Sequence, residues 1–382
     1  MLLLEAEGRL GVKPCGEGLL KGVLEELGLQ PSDEFIRNEV RGAYIFGPLG
    51  TVLKVEAGQI TYEKFRGRGG GYIIDKEAFL DLLMREAIDK GAEVRLNAKV
   101  IGFERDGDRT VVLYEHEGRI ERVSCDVVIG CDGYKSVVAR KLFGLGPQEV
   151  IPCLQYVMEN CHIDEPDMVQ AYVGRRWAPL GYLWVFPRGP DSANVGLGVR
   201  GAVAKDYLDR FIRENPRVFE DARVVRAGGA LVPIGGQRER IVMDGAMLCG
   251  DAAGQVVPIT GEGIHLAMTA GLIAGEVAAR AVQEGDTSAG RLSEYKRRFE
   301  ERWGATLELG LLARMAFEKL PDEQIDRVLA LLASGAVDIN HAVMVIDGGD
   351  IGPFIKDFFQ ADPDFCLEVF GSLVEEVVGP CR

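Results

Sequence analysis

Residues 250–263 read GDAAGQVVPITGEG and separate two strongly apolar segments. Residues 241–249 predict a short buried strand, which the Gly-Asp pair ends. Residues 264–282, rich in alanine and leucine, predict a helix. A Gly-rich turn between a strand and a helix is either an ordinary connection or a ligand-binding element.

Three residues of this stretch carry the binding interpretation. The carboxylate of Asp251 can accept hydrogen bonds from sugar-like hydroxyls. The N–H groups of Gly263 and Ile264, at the start of the predicted helix, can face phosphate or carbonyl oxygens. The stretch therefore predicts a site for a polyhydroxylated, anionic ligand.

Composition limits the classes of partner. The 382 residues carry a net charge of −15 and show no basic stripe, which argues against nucleic acid as a partner. Residues 321–382 hold twelve acidic and three basic side chains, which predicts a solvated acidic face or, alternatively, a docking surface for a basic redox partner.

The eight cysteines form no C-x-x-C pair, and with four histidines no zinc spacing occurs, so no metal site is predicted. The cysteines within or beside predicted strands are expected to be small hydrophobic residues: Cys125, Cys131, Cys153, Cys161 and Cys249. The short apolar start, MLLLE, does not have the length of a signal peptide. Residues 264–282 contain charged side chains, so they are expected to form a core helix and not a membrane-spanning one. A cytoplasmic protein, with peripheral contact at the inner face of the membrane as a further option, is expected.

The first five residues, MLLLE, predict a strand that ends in an acid. In a dinucleotide-binding unit this is the second strand, and the preceding strand, G-x-G-x-x-G turn and helix are expected upstream of it. The first βα unit is therefore expected to be missing from this sequence, either because its start is placed inside the natural reading frame or because the unit is truly absent. The G-x-G-x-x-G at residues 196–201 lies inside an alternating strand pattern and is interpreted as a false positive.

The remaining pattern predicts two βαβ-type pieces around an antiparallel insertion, followed by a helical tail. Helices are expected from about residue 19 and over residues 76–90, 204–215, 292–320, 322–333 and 363–378; strands are expected over residues 93–104, 110–117 and 121–129.

Two short sequences narrow the class of protein. PCGEG occupies residues 14–18, and GYLWVFPRG occupies residues 181–189. Together with the acid-ended strand, the Asp132-Gly133 turn and the Gly250-Asp251 turn, they resemble the geranylgeranyl reductase family of FAD-dependent enzymes, and more narrowly its archaeal digeranylgeranylglycerophospholipid reductases. The resemblance covers the chain from Met1 to about residue 300, and more loosely the tail.

This resemblance implies an α/β fold of the para-hydroxybenzoate hydroxylase type: a Rossmann-like FAD-binding domain, an antiparallel substrate domain and a helical C-terminal region. The implied FAD-binding domain comprises residues 1–40, 70–150 and 238–290. The substrate domain comprises residues 41–69 and 151–237, and the helical region residues 291–382.

The resemblance also implies the cofactor contacts. Glu5 would hold the adenosine ribose, Val100 would pass the adenine, and Asp251 would meet the ribityl or pyrophosphate region. The flavin would be lined by Cys15, Gly16 and Gly18, and its carbonyl groups would face Gly263 and Ile264. Lys76 stands where the family usually has arginine, which weakens the expected bidentate phosphate contact.

Tyr182, Trp184 and Phe186 alternate, so they share one face of a strand. They predict either a buried sheet face or an aromatic wall that guides a polyprenyl chain. Cys15 and Tyr182 are the candidate proton donors.

The leading hypothesis is a flavin-dependent reduction of C=C bonds in geranylgeranyl chains of an archaeal ether phospholipid, a step of membrane lipid biosynthesis. Protonation of an alkene carbon and hydride delivery from reduced flavin would accomplish it, with ferredoxin, a deazaflavin or NAD(P)H as external electron donor. The alternatives are an FAD-dependent aromatic hydroxylase or halogenase, and a non-catalytic isoprenoid-binding protein.

Overall fold

The computed structural model describes residues 1–62, 70–107 and 109–369. The predicted helix at 363–378 is helical over residues 363–369, and its remainder lies outside the described residues. Among the described residues, no helix is both long and apolar enough to cross a membrane.

The largest sheet joins two distant parts of the sequence. Its strand order is β16 (Arg223–Pro233), β12 (Val150–Glu159), β15 (Ser192–Gly198), β14 (Tyr182–Pro187), β13 (Met168–Val173), β4 (Gly42–Phe46) and β5 (Val52–Glu56). Neighbouring strands are antiparallel, except that β13 and β4 run parallel. The glycines of the rejected G-x-G-x-x-G begin within β15, so that segment is a strand as expected.

The parallel elements are short. Strand β1 (Leu2–Leu4) pairs in parallel with β7 (Glu93–Arg95), and β11 (Val128–Gly130) pairs in parallel with β18 (Ala246–Leu248). The apolar run before the GD turn is a hairpin rather than a single strand, because β17 (Val242–Met243) turns at Gly245, with φ of 68°, into β18.

Three further expectations about strands and helices were wrong in detail. The predicted strand over residues 93–104 is divided into β7 and β8 (Lys99–Asp106), because Asn97 takes a left-handed conformation with φ of 53°. Residues 121–129 are likewise divided, into β10 (Arg119–Cys125) and β11, which belong to different sheets. The predicted helix near residue 19 begins only after a strand, β2 (Gly18–Leu20).

Two small antiparallel sheets complete the strands. One has the order β10, β9 (Arg109–His116), β8, and the other has the order β2, β6 (Gly71–Ile74), β3 (Ile36–Val40). The helices are α1 (Lys21–Glu26), α2 (Lys76–Asp89), α3 (Ala204–Glu214), α4 (Pro216–Phe219), α5 (Ile264–Glu284), α6 (Ala289–Lys319), α7 (Asp322–Ala333), α8 (Ile339–Ile346) and α9 (Gly352–Ala361). The sequence pattern had not indicated α8 and α9.

Helix α5 is the centre of the main apolar core. Its buried residues recur at intervals of three or four, so they lie on one face. That face packs with β18 and with buried aromatic side chains of α6, including Tyr295 and Phe299. Because strand, helix and core are fixed together, the turn at residues 250–263 has rigid supports at both ends.

Candidate active site

An aromatic row lies on one face of β14. Tyr182 and Trp184 have ring centroids 5.8 Å apart, and Trp184 and Phe186 have centroids 6.4 Å apart. The Tyr182 hydroxyl donates a hydrogen bond to the Thr260 carbonyl oxygen at 2.5 Å, and the Trp184 indole donates to Gln155 Oε1 at 3.1 Å. The row is therefore held in a fixed orientation beside the loop that precedes α5.

The PCGEG loop lies directly on this row. A Cβ atom added to Gly16 would stand 2.9 Å from Phe186 Cε2, so only glycine fits at this approach. The Gln155 amide donates to the Cys15 carbonyl at 2.8 Å, and the Asn194 amide donates to the Gly16 carbonyl at 3.0 Å. The loop backbone is thus attached to β12 and β15 of the large sheet.

Glu17 is the residue of this loop that the sequence analysis missed. It is 3% exposed, has φ of 68°, and forms an ion pair with Arg188. Its carboxylate also accepts from the Asn194 amide at 2.8 Å and from the Lys76 backbone N–H at 3.3 Å. The sequence did offer one signal, because Glu17 is an acidic residue between two glycines in an apolar context. A carboxylate buried there needs ion-pair and hydrogen-bond partners from other parts of the chain.

Asp251 and Gly263 meet at the other side of the site. Asp251 lies in a single 3₁₀ turn, Gly250–Ala253, and a Cβ added to Gly263 would stand 3.8 Å from Asp251 Oδ1. Gly263 is the N-cap residue of α5, so Ile264 opens the helix as predicted. The first-turn N–H groups of a helix have no acceptor within it, which leaves them available to a ligand at this place.

Two lysines supply positive charge here. Lys13 forms an ion pair with Asp251, and Lys76 Nζ donates to the Lys13 backbone carbonyl. Burial lowers the pKa of Lys76. An anionic group bound beside these ammonium groups would compensate the desolvation of Lys76, which is the chemistry that a pyrophosphate site requires.

Glu5 and Val100 lie near the parallel strand pair β1 and β7. Glu5 follows β1, its N–H donates to the Arg95 carbonyl at 2.9 Å, and its backbone carbonyl accepts from the Ala98 N–H at 2.7 Å. Val100 lies two residues after Ala98, in β8. The chain continues from Glu5 to Lys13, whose ammonium group pairs with Asp251.

Three candidate proton-carrying groups converge at the aromatic row. Burial, with added repulsion from the Cys15 and Glu262 side chains, raises the pKa of Tyr182. Partial burial, with repulsion from Asp347, raises the pKa of Glu262 to about 7. Carboxylic acids with a pKa near neutrality are effective general acids, so Glu262 joins Cys15 and Tyr182 as a candidate.

Replacing Glu262 by glutamine should change how stability depends on pH. The pKa of Glu262 is raised from 4.5 to about 7 on folding, so its proton stabilises the fold below the unfolded value, and this contribution is lost as the pH rises through 7. The free energy of unfolding of the wild type, relative to Glu262→Gln, should therefore fall between about pH 4.5 and pH 7 and level off above that range in urea titrations.

The matched control for this measurement is Glu308→Gln, an exposed carboxyl on α6. The difference in free energy of unfolding between the wild type and Glu308→Gln should stay constant over the same pH range. His265 Nδ1 lies 4.0 Å from Glu262 Oε1, so the difference reports the Glu262 carboxyl together with its interaction with His265. If the difference in free energy of unfolding between the wild type and Glu262→Gln does not change with pH, the raised pKa of Glu262 is contradicted.

His265 has a structural environment. Its Nε2 lies 3.1 Å from Glu26 Oε2, and its ring packs edge-on against Trp303 with centroids 4.7 Å apart. These contacts join α5 to α1 and α6, which favours a structural role for His265 at the start of α5.

The comparisons with known proteins agree with this geometry. Residues 69–175 match the FAD binding domain family, and residues 149–232 match the geranylgeranyl reductase catalytic domain family. The prediction of FAD as cofactor is confirmed. The second match spans the aromatic row and most of the large sheet.

Curated relatives match over almost the whole chain. Digeranylgeranylglycerophospholipid reductase 2 of Methanopyrus kandleri is 34% identical, covering 95% of this chain and 90% of the relative. The digeranylgeranylglycerophospholipid reductase of Methanocaldococcus jannaschii is 36% identical, covering 98% and 92%.

Solved structures show the same fold. A geranylgeranyl bacteriochlorophyll reductase-like protein from Thermoplasma acidophilum superposes with a TM-score of 0.78 at 28% identity, covering 98% of this chain and 91% of that one. A flavin-dependent brominase superposes with a TM-score of 0.70 at 17% identity, covering 97% and 92%, which shows shared fold alone. The predicted α/β fold of the FAD-binding type is confirmed.

Proposed function

Because the chain belongs to the geranylgeranyl reductase family of FAD-dependent oxidoreductases, we propose that it reduces the C=C bonds of geranylgeranyl chains in an archaeal ether phospholipid. The observation that carries this proposal is the aromatic row of β14 facing the Cys15–Gly16 segment. An unactivated alkene offers no polar group to bind, so an apolar wall beside a proton donor is the arrangement that its reduction needs.

The residues of the site fit FAD. The helix start at Gly263 and Ile264 offers N–H donors, and Lys13 and Lys76 offer positive charge. Gly16 and Gly18, which lie against the Phe186 ring, would line the flavin. Asp251, paired with Lys13, would meet the ribityl or pyrophosphate region. Glu5 and Val100 would hold the adenosine end. Reduced FAD, when bound, supplies the hydride.

The side chains of the protein have three tasks in this proposal. Tyr182, Trp184 and Phe186 would align the polyprenyl chain along β14 and exclude water from the reacting carbons. Cys15, in the loop against Phe186, would donate a proton to one alkene carbon. Tyr182 is the second candidate donor, but its hydroxyl proton already engages the Thr260 carbonyl, which favours Cys15.

The test is a turnover experiment with the lipid. The purified protein, saturated with FAD and reduced anaerobically, is incubated with digeranylgeranylglycerophospholipid, and the extracted lipid is analysed by mass spectrometry. We expect products that gain two hydrogens for each bond reduced. An oxygen-dependent product that gains an oxygen atom from a phenolic substrate would instead support the hydroxylase alternative. Bound lipid without any product would support a non-catalytic binding protein.

The electron donor and the membrane contact are parts of the same proposal. Ferredoxin, a deazaflavin or NAD(P)H would reduce the flavin, and the acidic residues of 321–369 would suit a basic donor protein. The lipid substrate would require peripheral contact with the cytoplasmic face of a membrane.

A further inference from the structure

Two cysteines follow neighbouring parallel strands at the edge of the cofactor site. Cys131 comes directly after β11, and Cys249 comes directly after β18. Gly130 and Leu248 are register partners, and the Cys249 N–H donates to the Gly130 carbonyl at 3.0 Å. The two cysteines are therefore adjacent positions of one parallel ladder, and their side chains leave it on the same face.

This placement meets the geometric requirement for a disulfide. Paired strands lie about 4.8 Å apart, and disulfides join Cα atoms that are about 4.4–6.8 Å apart. The Cys249 thiol donates a weak hydrogen bond to the Ala270 carbonyl oxygen at 3.9 Å, and the neighbouring Cys131 side chain influences the pKa of Cys249. A bond between them would need rotation of side chains rather than movement of strands.

The two thiols differ in reactivity. Residue Cys131 is exposed, and its interaction with the neighbouring Cys249 thiol lowers its pKa. Cys249 is 3% exposed, and its interaction with Cys131 together with burial raises its pKa. An accessible thiol of lowered pKa beside a protected second thiol is the arrangement of an attacking and a resolving cysteine.

We propose that Cys131 and Cys249 form a reversible dithiol–disulfide pair, oxidised by small-molecule disulfides. The Cys131 thiolate attacks the small disulfide, forms a mixed disulfide and releases one small thiolate. Cys249 then loses its proton and attacks the Cys131 sulfur, which releases the second small thiolate. Two protein thiols are oxidised by two electrons, and one small disulfide is reduced to two thiols.

The bridge would act on the turn that holds Asp251. The hydroxyl of Tyr295 donates to the Leu248 carbonyl at 2.8 Å, and Gln255 Oε1 accepts the Gly250 N–H at 2.7 Å. Tyr295 and Gln255 also bond to each other, at 2.8 Å between Gln255 Nε2 and the hydroxyl. Cys249 lies between Leu248 and Gly250, two residues of this network. Oxidation of Cys249 would therefore change the turn that contains Asp251 according to the ratio of disulfide to thiol in the cell. The pairing itself does not depend on the proposed function.

The test is disulfide mapping of the intact wild-type chain. The protein is incubated with oxidised glutathione, its free thiols are alkylated, and it is digested with trypsin without reduction. We expect a linked species joining residues 123–135 to residues 241–280, with a mass lower by two hydrogens than the sum of the two peptides. Dithiothreitol should abolish it and make both thiols available to alkylation.

Peptide 123–135 also contains Cys125, so Cys125→Ser is the matched control and should retain the linked species. Cys131→Ser should lose it. Glutathione attached to Cys131 while Cys249 remains free would overturn the proposal, as would alkylation of both thiols under conditions that oxidise free cysteine. Because the wild-type result decides the matter, a variant that fails to fold leaves the test intact.

Discussion

Replacing Glu17 by glutamine should lower the free energy of unfolding by about 3 kcal/mol, the lower end of what breaking a buried ion pair costs. The glutamine leaves the guanidinium of Arg188, which is 14% exposed, without its main counter-charge. Asp75 remains 3.5 Å from Arg188 and limits the loss. Urea unfolding of the wild type and variant at one pH measures the difference.

Glu39→Gln is the matched control. Glu39 forms an ion pair with Lys21 but is 63% exposed, so its loss should cost at most about 1 kcal/mol. The double variant Glu17→Gln/Arg188→Met should recover part of the stability, because removing both charges leaves neither one buried alone. Equal losses for Glu17→Gln and Glu39→Gln would show that the Glu17 pair is not effectively buried.

The Glu17 contacts explain how two distant parts of the sequence form one site. The loop containing Cys15 leads into β2 of a small sheet, whereas Arg188 follows β14 and Asn194 lies in β15 of the large sheet. A buried charge in the loop can be satisfied only when the sheet is in place. The loop conformation should consequently depend on the sheet, and flavin binding should weaken in Glu17→Gln along with stability.

Local patterns were enough to predict the longest helices and the turn at residues 250–263. Helix α7 has the predicted bounds, and α2 and α5 differ from prediction by one or two residues at one end. In these segments the apolar spacing and the turn residues act over a few positions and agree with each other. The aromatic row was also visible, because alternation alone places its members on one face.

Features that depend on long-range contacts could not be derived from the same patterns. The parallel pairing of β4 with β13 joins residues that are more than a hundred positions apart. The burial of Glu17 and the raised pKa of Glu262 depend on partners from other elements, so sequence alone left both acids unassigned. The expectation that Cys131 and Cys249 are small hydrophobic residues could not include their adjacent positions in the β11–β18 register, for the same reason.

Replacing Cys15 by alanine should leave FAD bound but lower the rate of alkene reduction by about 10²–10⁴-fold, the usual contribution of a positioned general acid. The thiol lies in the loop that rests on Phe186, and the Cys15 backbone is held independently by the Gln155 amide. Removing only the sulfur should therefore preserve the loop. The flavin absorption spectrum reports binding, and single-turnover oxidation of the reduced flavin by lipid reports the chemical step.

Cys125→Ala, on β10, is the control for loss of a thiol as such and should react at the wild-type rate. Tyr182→Phe separates the two candidate donors, because it removes the hydroxyl that donates to Thr260 and keeps the ring. If Cys15 is the acid, Cys15→Ala should also change the pH profile of the single-turnover rate, whereas Tyr182→Phe should retain it. A Cys15→Ala protein that binds flavin and reduces lipid at the wild-type rate would exclude the thiol as proton donor and transfer the role to Tyr182 or Glu262.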